Sequence, residues 1–172
     1  NKEVVTHDIY FKIHQVELGG EKIDFDEYDS GVFPKMDSVI FFKYMMKQIG
    51  DFISKNLDKV FSEYIRRRNA DDKGYVECFT CGKKDHWRKM QCGHFQSRKH
   101  YITRWNEDNC QVQCVGCNMF RSGEQYKFGL KLNAISPNKA ENLFLLARNT
   151  KKFNNFDLLK MIDHYKSLNA SL

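Results

Sequence analysis

Downstream of Ser38, apolar residues recur at gaps of three and four: Ile40, Phe41, Tyr44, Met45, Ile49, Phe52, Ile53, Leu57, Val60, Phe61, Tyr64 and Ile65. That spacing describes one face of a long helix. Asp37 or Ser38 can cap it, Gly50-Asp51 offers a place to bend or divide, and Arg66-Arg67-Arg68 closes it. Before it, the stretch from Ile9 to Leu18 alternates in part. With Gly19-Gly20 and the return from Lys22 to Phe25 it predicts a hairpin. Acidic residues follow from Glu21 to Asp29, then Gly31 and Pro34, a loop signal and an arm suited to folding against a partner. Towards the other end, Ser136-Pro137 reads as a helix start, with Ala140, Leu143, Leu145 and Leu146 turned inward up to about Arg148. A last helix is predicted from about Phe156 to Leu168, with Leu158, Leu159, Ile162 and Tyr165 buried. The pattern divides the chain into an N-terminal β arm (1–36), a long helix (37–70), a cysteine-rich core (71–135) and C-terminal helices (136–172), an α+β class.

Composition narrows the function classes. At 172 residues with 41% hydrophobic and 29% charged positions, the chain can bury a core. No run of apolar residues is long enough to span a membrane, so no membrane partner is expected. The start, Asn1-Lys2-Glu3, reads as that of a trimmed chain, with any targeting information upstream. Charge is uneven. Residues 1–55 carry 7 Lys+Arg against 10 Asp+Glu, and residues 56–172 carry 21 against 12, so net −3 and +9 make up the overall +6. A basic last two thirds is the footprint of a polyanion partner, or an ordinary solvated surface. The three arginines at 66–68 cannot share one helical face. At least one points towards whatever the next segment binds, unless all serve the helix C-terminal dipole.

The six cysteines, Cys78, Cys81, Cys92, Cys110, Cys114 and Cys117, lie within forty residues. Cys78-Phe79-Thr80-Cys81-Gly82 and Cys114-Val115-Gly116-Cys117 are paired as zinc knuckles are and as disulfide frameworks seldom are. Their four thiolates suit one closed, tetrahedral structural Zn²⁺. Reduced cysteines place the protein inside a cell. Cys92 and Cys110 belong to neither knuckle and read as buried packing residues. His86, in Lys84-Asp85-His86-Trp87, is an alternative zinc ligand; His100 is a phosphate or metal contact; His7, His14 and His164 read as ordinary.

Between and beside the knuckles stand His94, Asn109 and Asn118. A His and two Asn so placed resemble the ββα-metal nucleases of the HNH group. The resemblance implies that His94 sits on a strand and that Asn118 opens a helix, with the zinc stapling strand ends to that helix. Phosphodiester hydrolysis needs an activated water and a cation at the phosphate. A neutral imidazole can take the water proton near pH 7. An Asn oxygen is a hard donor suited to Mg²⁺ or Mn²⁺, and a second Asn can hold the loop or the His by hydrogen bonds.

Closer still, Gly93-His94-Phe95-Gln96-Ser97-Arg98, Arg104-Trp105-Asn106-Glu107-Asp108-Asn109, Gln113-Cys114-Val115-Gly116-Cys117-Asn118 and Ser122-Gly123 resemble the bacteriophage NinG (Rap) family of recombination nucleases. The likeness runs over about residues 55–172 and leaves 1–54 outside. It implies a zinc-stapled ββα-metal core between the long helix and two C-terminal helices, and cleavage of branched DNA such as four-way (Holliday) junctions. It further implies His94 as general base, Asn109 as orienting residue and Asn118 as catalytic metal ligand. Where many HNH enzymes have Asp before the base, this chain has Gly93, and Gln91 stands slightly upstream. The second metal ligand is left open among Gln91, Cys92, Glu107, Asp108, water and phosphate. DNA contacts are expected from Arg66, Arg67, Arg68, Lys83, Lys84, Arg88, Lys89, Arg98, Lys99, Arg104 and Arg121. Trp87, His100, Tyr101 and Trp105 are candidates to stack on exposed bases, or core residues of a small zinc module. A junction with two-fold character suggests a homodimer, and recombination proteins are further expected partners. Phage origin implies the host cytoplasm. Two other readings remain: a non-catalytic zinc DNA-binding accessory protein, and an HNH nuclease cutting linear duplex at a fixed sequence.

Overall fold

A hairpin and a long helix precede the cysteine-rich segment in the computed structural model, which describes residues 15–18, 21–24 and 38–172. Strand β1 (Gln15–Leu18) pairs antiparallel with β2 (Glu21–Asp24), Gln15 opposite Asp24 and Leu18 opposite Glu21. The rest of the expected arm, its Gly19-Gly20 turn, the Gly31 and Pro34 loop and the Asp37 cap lie outside the described residues. Helix α1 runs from Ser38 to Arg67. It passes through Gly50-Asp51 without interruption, so the expected division does not occur. One glycine among good helix formers costs about 1 kcal/mol, too little to break thirty residues. Its fully buried stripe is narrower than the sequence suggests: Ile53, Leu57, Phe61 and Ile65, each four apart, are 0–2% exposed.

The chain divides into two units, residues Asn1–Lys55 and Asn56–Leu172. In the second, β3 (Tyr75–Glu77) pairs with β4 (Lys84–His86), and β5 (Met90–His94) pairs with β6 (Cys110–Cys114), both antiparallel. The short helix α2 (Tyr101–Arg104) lies in the β5–β6 connection. A single π-helical turn, Gly116–Phe120, follows β6, and then come α3 (Gln125–Ile135), α4 (Lys139–Ala147) and α5 (Asn155–Ala170).

Among the described residues, two clusters pack these elements. Val76, Cys78, Met90, Val112, Cys114 and Cys117 cluster around the knuckles. Phe128, Leu132, Ala140 and Leu143 pack with Phe79 and Phe95, tying α3 and α4 to the first knuckle and to the residue after His94. Helix α5 returns to α1, with Tyr165 edge-on to Phe61 at 4.9 Å and Asn169 Nδ2 donating to the Val60 carbonyl at 2.9 Å.

The C-terminal helices depart from expectation in detail. Ser136 and Pro137 precede α4 rather than starting it, because Asn138 takes a left-handed φ of 59°, which Asn tolerates. The inward residues of α4 are Ala140, Leu143 and Ala147, while Leu145 is 58% exposed. Helix α5 begins at a capping box of Asn154 and Asp157 and buries Leu158, Ile162 and Tyr165. Helix α3 was not foreseen as a separate element. None of the helices among the described residues is long and apolar enough to cross a membrane.

Candidate functional site: a four-cysteine cluster and the His94 hairpin

The knuckles converge. The Sγ atoms of Cys78, Cys81, Cys114 and Cys117 all lie within 4.8 Å of one another. A tetrahedral Zn²⁺ with bonds of about 2.3 Å needs thiolates about 3.8 Å apart, and Cys81 Sγ lies 3.8 Å from Cys114 Sγ. Gly82, at φ 75°, makes the turn after the first pair. Burial pushes the Cys78 thiol up, but the Thr80 hydroxyl and backbone amides outweigh it and bring it to about 6. Arg121 donates to Cys117 Sγ at 2.8 Å. The cluster can hold a structural metal such as zinc. His86 is not in it; its Nδ1 accepts from the Arg88 amide, and its ring lies against Tyr75 and Trp87.

The cluster fastens the Cys114 end of the β5–β6 hairpin, and His94 lies on β5, a strand as expected, as its last residue at the opposite end. Alternation places Cys92 and His94 on one face and Gln91 and Gly93 on the other. His94 Nε2 donates to the Arg104 carbonyl at 3.0 Å. A carbonyl only accepts, so Nε2 holds the proton and Nδ1 keeps its lone pair. Burial lowers the His94 pKa, and the nearby Arg98 guanidinium acts in the same direction, while the Arg104 carbonyl opposes it; the ring is therefore neutral near pH 7.

Asn109 sets that geometry. It is fully buried. Its Oδ1 accepts from the Gln96 amide at 2.6 Å, and its Nδ2 donates to the carbonyls of Gln96 at 3.0 Å and Thr103 at 2.9 Å. The loop that presents the Arg104 carbonyl to His94 is thus clamped to β6. Asp58 of α1 secures the same loop from the other side. It accepts from Trp105 Nε1 at 2.9 Å and Arg104 Nε at 3.0 Å, and pairs with Arg98. Burial pushes the Asp58 carboxyl up, but Arg104 and Arg98 hold it below the usual carboxylate range. A depressed folded-state value stabilises above the ordinary value of 3.8 and is lost as pH falls through the folded one. Asp58→Asn is expected to lose about 2–3 kcal/mol near pH 7. The gap to the parent should close on acidification below about pH 4; urea titrations at pH 7 and pH 3 check this, and an equal gap at both would count against it.

Between α1 and this hairpin is a cleft of about 340 Å³, lined among others by Asp58, Ser62, Arg66, Cys92, His94 and Arg98.

Asn118 sits elsewhere. It is the third residue of the π-helical turn rather than the opener of a regular helix, and its Nδ2 donates to Gln91 Oε1 at 2.7 Å. Gln91 is on the face opposite His94. The structure thus joins Asn109 to the His94 loop and leaves Asn118 with Gln91 across the hairpin. On that face Gly93 has no side chain because Gln113 fills the space: a Cβ there would lie 2.0 Å from Gln113 Oε1. That oxygen is buried and has no hydrogen-bond partner. Gln113 Nε2 is held by the Thr80 hydroxyl and the Gly123 carbonyl. Sequence reasoning missed Gln113; the small residue at 93 opposite a run of strand glutamines was the available signal.

Other candidates are occupied. Glu107 accepts from Arg68, Tyr64 and Tyr165, and exposed Asp108 pairs with half-buried Lys139, so neither is a free metal ligand. Arg68 also bonds the Cys110 carbonyl and Gln111, and Arg67 bonds Glu63 and the Asn169 carbonyl. These two arginines fasten α1 to β6 and α5. Of the three, Arg66 lines the cleft, held by the Ser62 carbonyl and the Trp87 ring. Arg104 is engaged with Asp58. Lys83, Lys84 and Lys89 make exposed ion pairs with Asp85, Glu77 and Asp85, Arg88 stacks over Trp87, and Lys99 is exposed. Trp105 is 4% exposed and cannot stack on a base; Trp87 is half-buried, and Tyr101 and His100 are exposed. Cys110 is buried as expected, but Cys92 borders the cleft.

The fold and site define a mixed α+β protein whose four-cysteine cluster anchors a β-hairpin and the turn after it. The family model for the bacteriophage lambda NinG protein matches residues 39–172, and the chain belongs to that phage recombination-related family. The match begins sixteen residues upstream of the boundary expected at 55 and takes in nearly all of α1. No curated protein and no solved structure matches the chain.

Proposed function

We propose that this protein is an endonuclease of the HNH, or ββα-metal, type that hydrolyses phosphodiester bonds in branched recombination intermediates such as four-way junctions. The observation that carries the reading is the pinned histidine. An Asn109-clamped loop directs the Arg104 carbonyl at His94 Nε2, at a cleft that also presents Arg66 and Arg98. Membership of a phage recombination family and the basic charge of residues 56–172 support DNA as the partner.

In this reading His94 Nδ1 removes the proton from an attacking water, and Arg66 and Arg98 hold the phosphate in the cleft. A hard cation, when bound, supplies charge neutralisation at the phosphate. Asn118 is bonded to Gln91, and both offer neutral amide oxygens. They do not make a cage that holds Mg²⁺ or Mn²⁺ by itself. The exposed cations Lys83, Lys84, Arg88, Lys89 and Lys99 extend the basic surface over which DNA arms can lie.

The test is cleavage of a labelled four-way junction beside a linear duplex of the same sequence, in Mg²⁺ or Mn²⁺ against EDTA. The expected result is metal-dependent cutting near the branch, reduced roughly 10²–10⁴-fold in His94→Ala while binding survives. Cutting of the linear duplex at a fixed sequence would shift the reading to another kind of HNH enzyme. The bond of Asn118 to Gln91, a neutral amide, favours a second reading, a non-catalytic zinc DNA-binding protein that serves recombination. Tight junction binding with no cutting in either metal would establish it.

A further inference from the structure

On the face of the hairpin turned to the cleft, three side chains converge that the four-cysteine cluster does not use. Cys92 and His94 are two residues apart on β5, and Cys110 is the register partner of His94 on β6. The Sγ atoms of both cysteines and one ring nitrogen of His94 all lie within 4.8 Å of one another. Among the described residues this is the other group of three or more such ligands besides the knuckles.

We propose that Cys92, His94 and Cys110 form a second metal site, for a thiophilic divalent cation such as Zn²⁺, with its remaining coordination position open to the cleft.

Three features of the site fit that chemistry. Two thiolates and an imidazole are the donor types Zn²⁺ prefers, and three protein ligands with one open position is the arrangement of exchangeable rather than closed zinc sites. His94 gives one ring N–H, that of Nε2, to a backbone carbonyl, that of Arg104, the kind of acceptor metal-binding histidines almost always have. Cys110 Sγ is fully buried, and its hydrogen bond is a long one, 3.7 Å to the Arg104 carbonyl. The cleft itself is cationic, with Arg66 and Arg98 among its lining. Two thiolates cancel the charge of the dication, so these arginines do not repel the filled site, and they favour an anionic oxygen at the open position.

The site deepens the functional reading by giving it a regulator, and that part rests on His94 being the base. A ring nitrogen bound to Zn²⁺ cannot take a proton from water. The filled protein would therefore bind junctions without cutting them, and removal of the second ion would restore cleavage.

The experiment is a Co²⁺ titration of the full chain with its four-cysteine cluster already loaded with Zn²⁺. Thiolate-to-cobalt charge transfer and d–d absorption report the number and kind of ligands, without DNA. The expected result is one further equivalent with a four-coordinate, thiolate-containing spectrum. It should be weakened by more than about 100-fold in the Cys92→Ser, Cys110→Ser double variant, since loss of mere supporting contacts already costs 10–100-fold. Cys92→Ser alone, at a half-buried position, serves as the second variant should the double one fail to fold. No second equivalent up to millimolar Co²⁺, or a second equivalent unchanged in Cys92→Ser, would overturn the site. Junction cleavage in Mg²⁺ is then measured with and without the second equivalent. Loss of cutting in the parent, spared in Cys92→Ser, supports the regulator. Continued cutting with the second site filled would leave the site standing and remove His94 from its role as base.

Discussion

Replacing Cys117 with serine is expected to release the tightly held metal and to destabilise the protein by more than about 4 kcal/mol, the range in which loss of a metal site falls. In small zinc modules the metal contributes on the order of 10 kcal/mol of folding free energy, because the unfolded chain has no preformed site. Here the hydrophobic material around the cluster is slight: Val76, Met90 and Val112 with the cysteines themselves. The strands it joins are short, three residues each in β3 and β4 and five each in β5 and β6. Without the metal, nothing of comparable strength links the turn at Cys78-Cys81 to the turn at Cys114-Cys117. Zinc content by mass spectrometry and amide exchange at Val112 and Cys114 are the measurements. Cys117→Ser with full metal content and unchanged exchange would show that the cluster is only a set of packed thiols.

Asn109→Ala is expected to lower both stability and cleavage. The change removes three hydrogen bonds and takes the Asn109 partner from the Gln96 amide and carbonyl, while the Thr103 carbonyl keeps the Asn106 amide at 3.2 Å. At about 1 kcal/mol for each bond, and more where the abandoned group stays buried, the loss is about 3 kcal/mol or above. Its effect on His94 is indirect. Thr103 precedes the residue whose carbonyl fixes the imidazole, so release of the loop frees the ring to turn. A displacement of about 1 Å in a reacting group can cost 10²-fold in rate. Nitrogen chemical shifts of the His94 ring separate this from simple unfolding, because a fixed tautomer gives two distinct signals. Asn109→Asp keeps the acceptor for Gln96 and loses both donations, and should fall between Asn109→Ala and the parent in stability. Normal cleavage per folded molecule in Asn109→Ala, with unchanged ring signals, would restrict Asn109 to a structural role.

Local pattern determined much of this protein. The paired spacing of Cys78 with Cys81 and Cys114 with Cys117 announces one tetrahedral site, since two intervening residues are what let neighbouring thiolates reach one ion. The run of apolar residues four apart up to Ile65 announces α1, and the family resemblance implies a strand at His94, which β5 supplies. Tertiary structure alone decided which polar residues are spent on the fold. Arg67, Arg68 and Arg104 read as cations for DNA until their partners, Asn169, Glu107 and Asp58, arrive from tens of residues away. Trp105 reads as an aromatic for stacking until Asp58 takes its N–H. Gln113 reads as an ordinary strand residue, yet its side chain fills the space left by Gly93. Cys92 and Cys110 read as unrelated packing residues because eighteen positions separate them. Only the antiparallel register of β5 on β6 brings Cys110 to His94 and Cys92. The reason is common to all of these: a ligand spacing or a helical period is a property of a few adjacent residues, whereas the partner of a side chain depends on strand pairing and helix docking, which sequence separation does not encode.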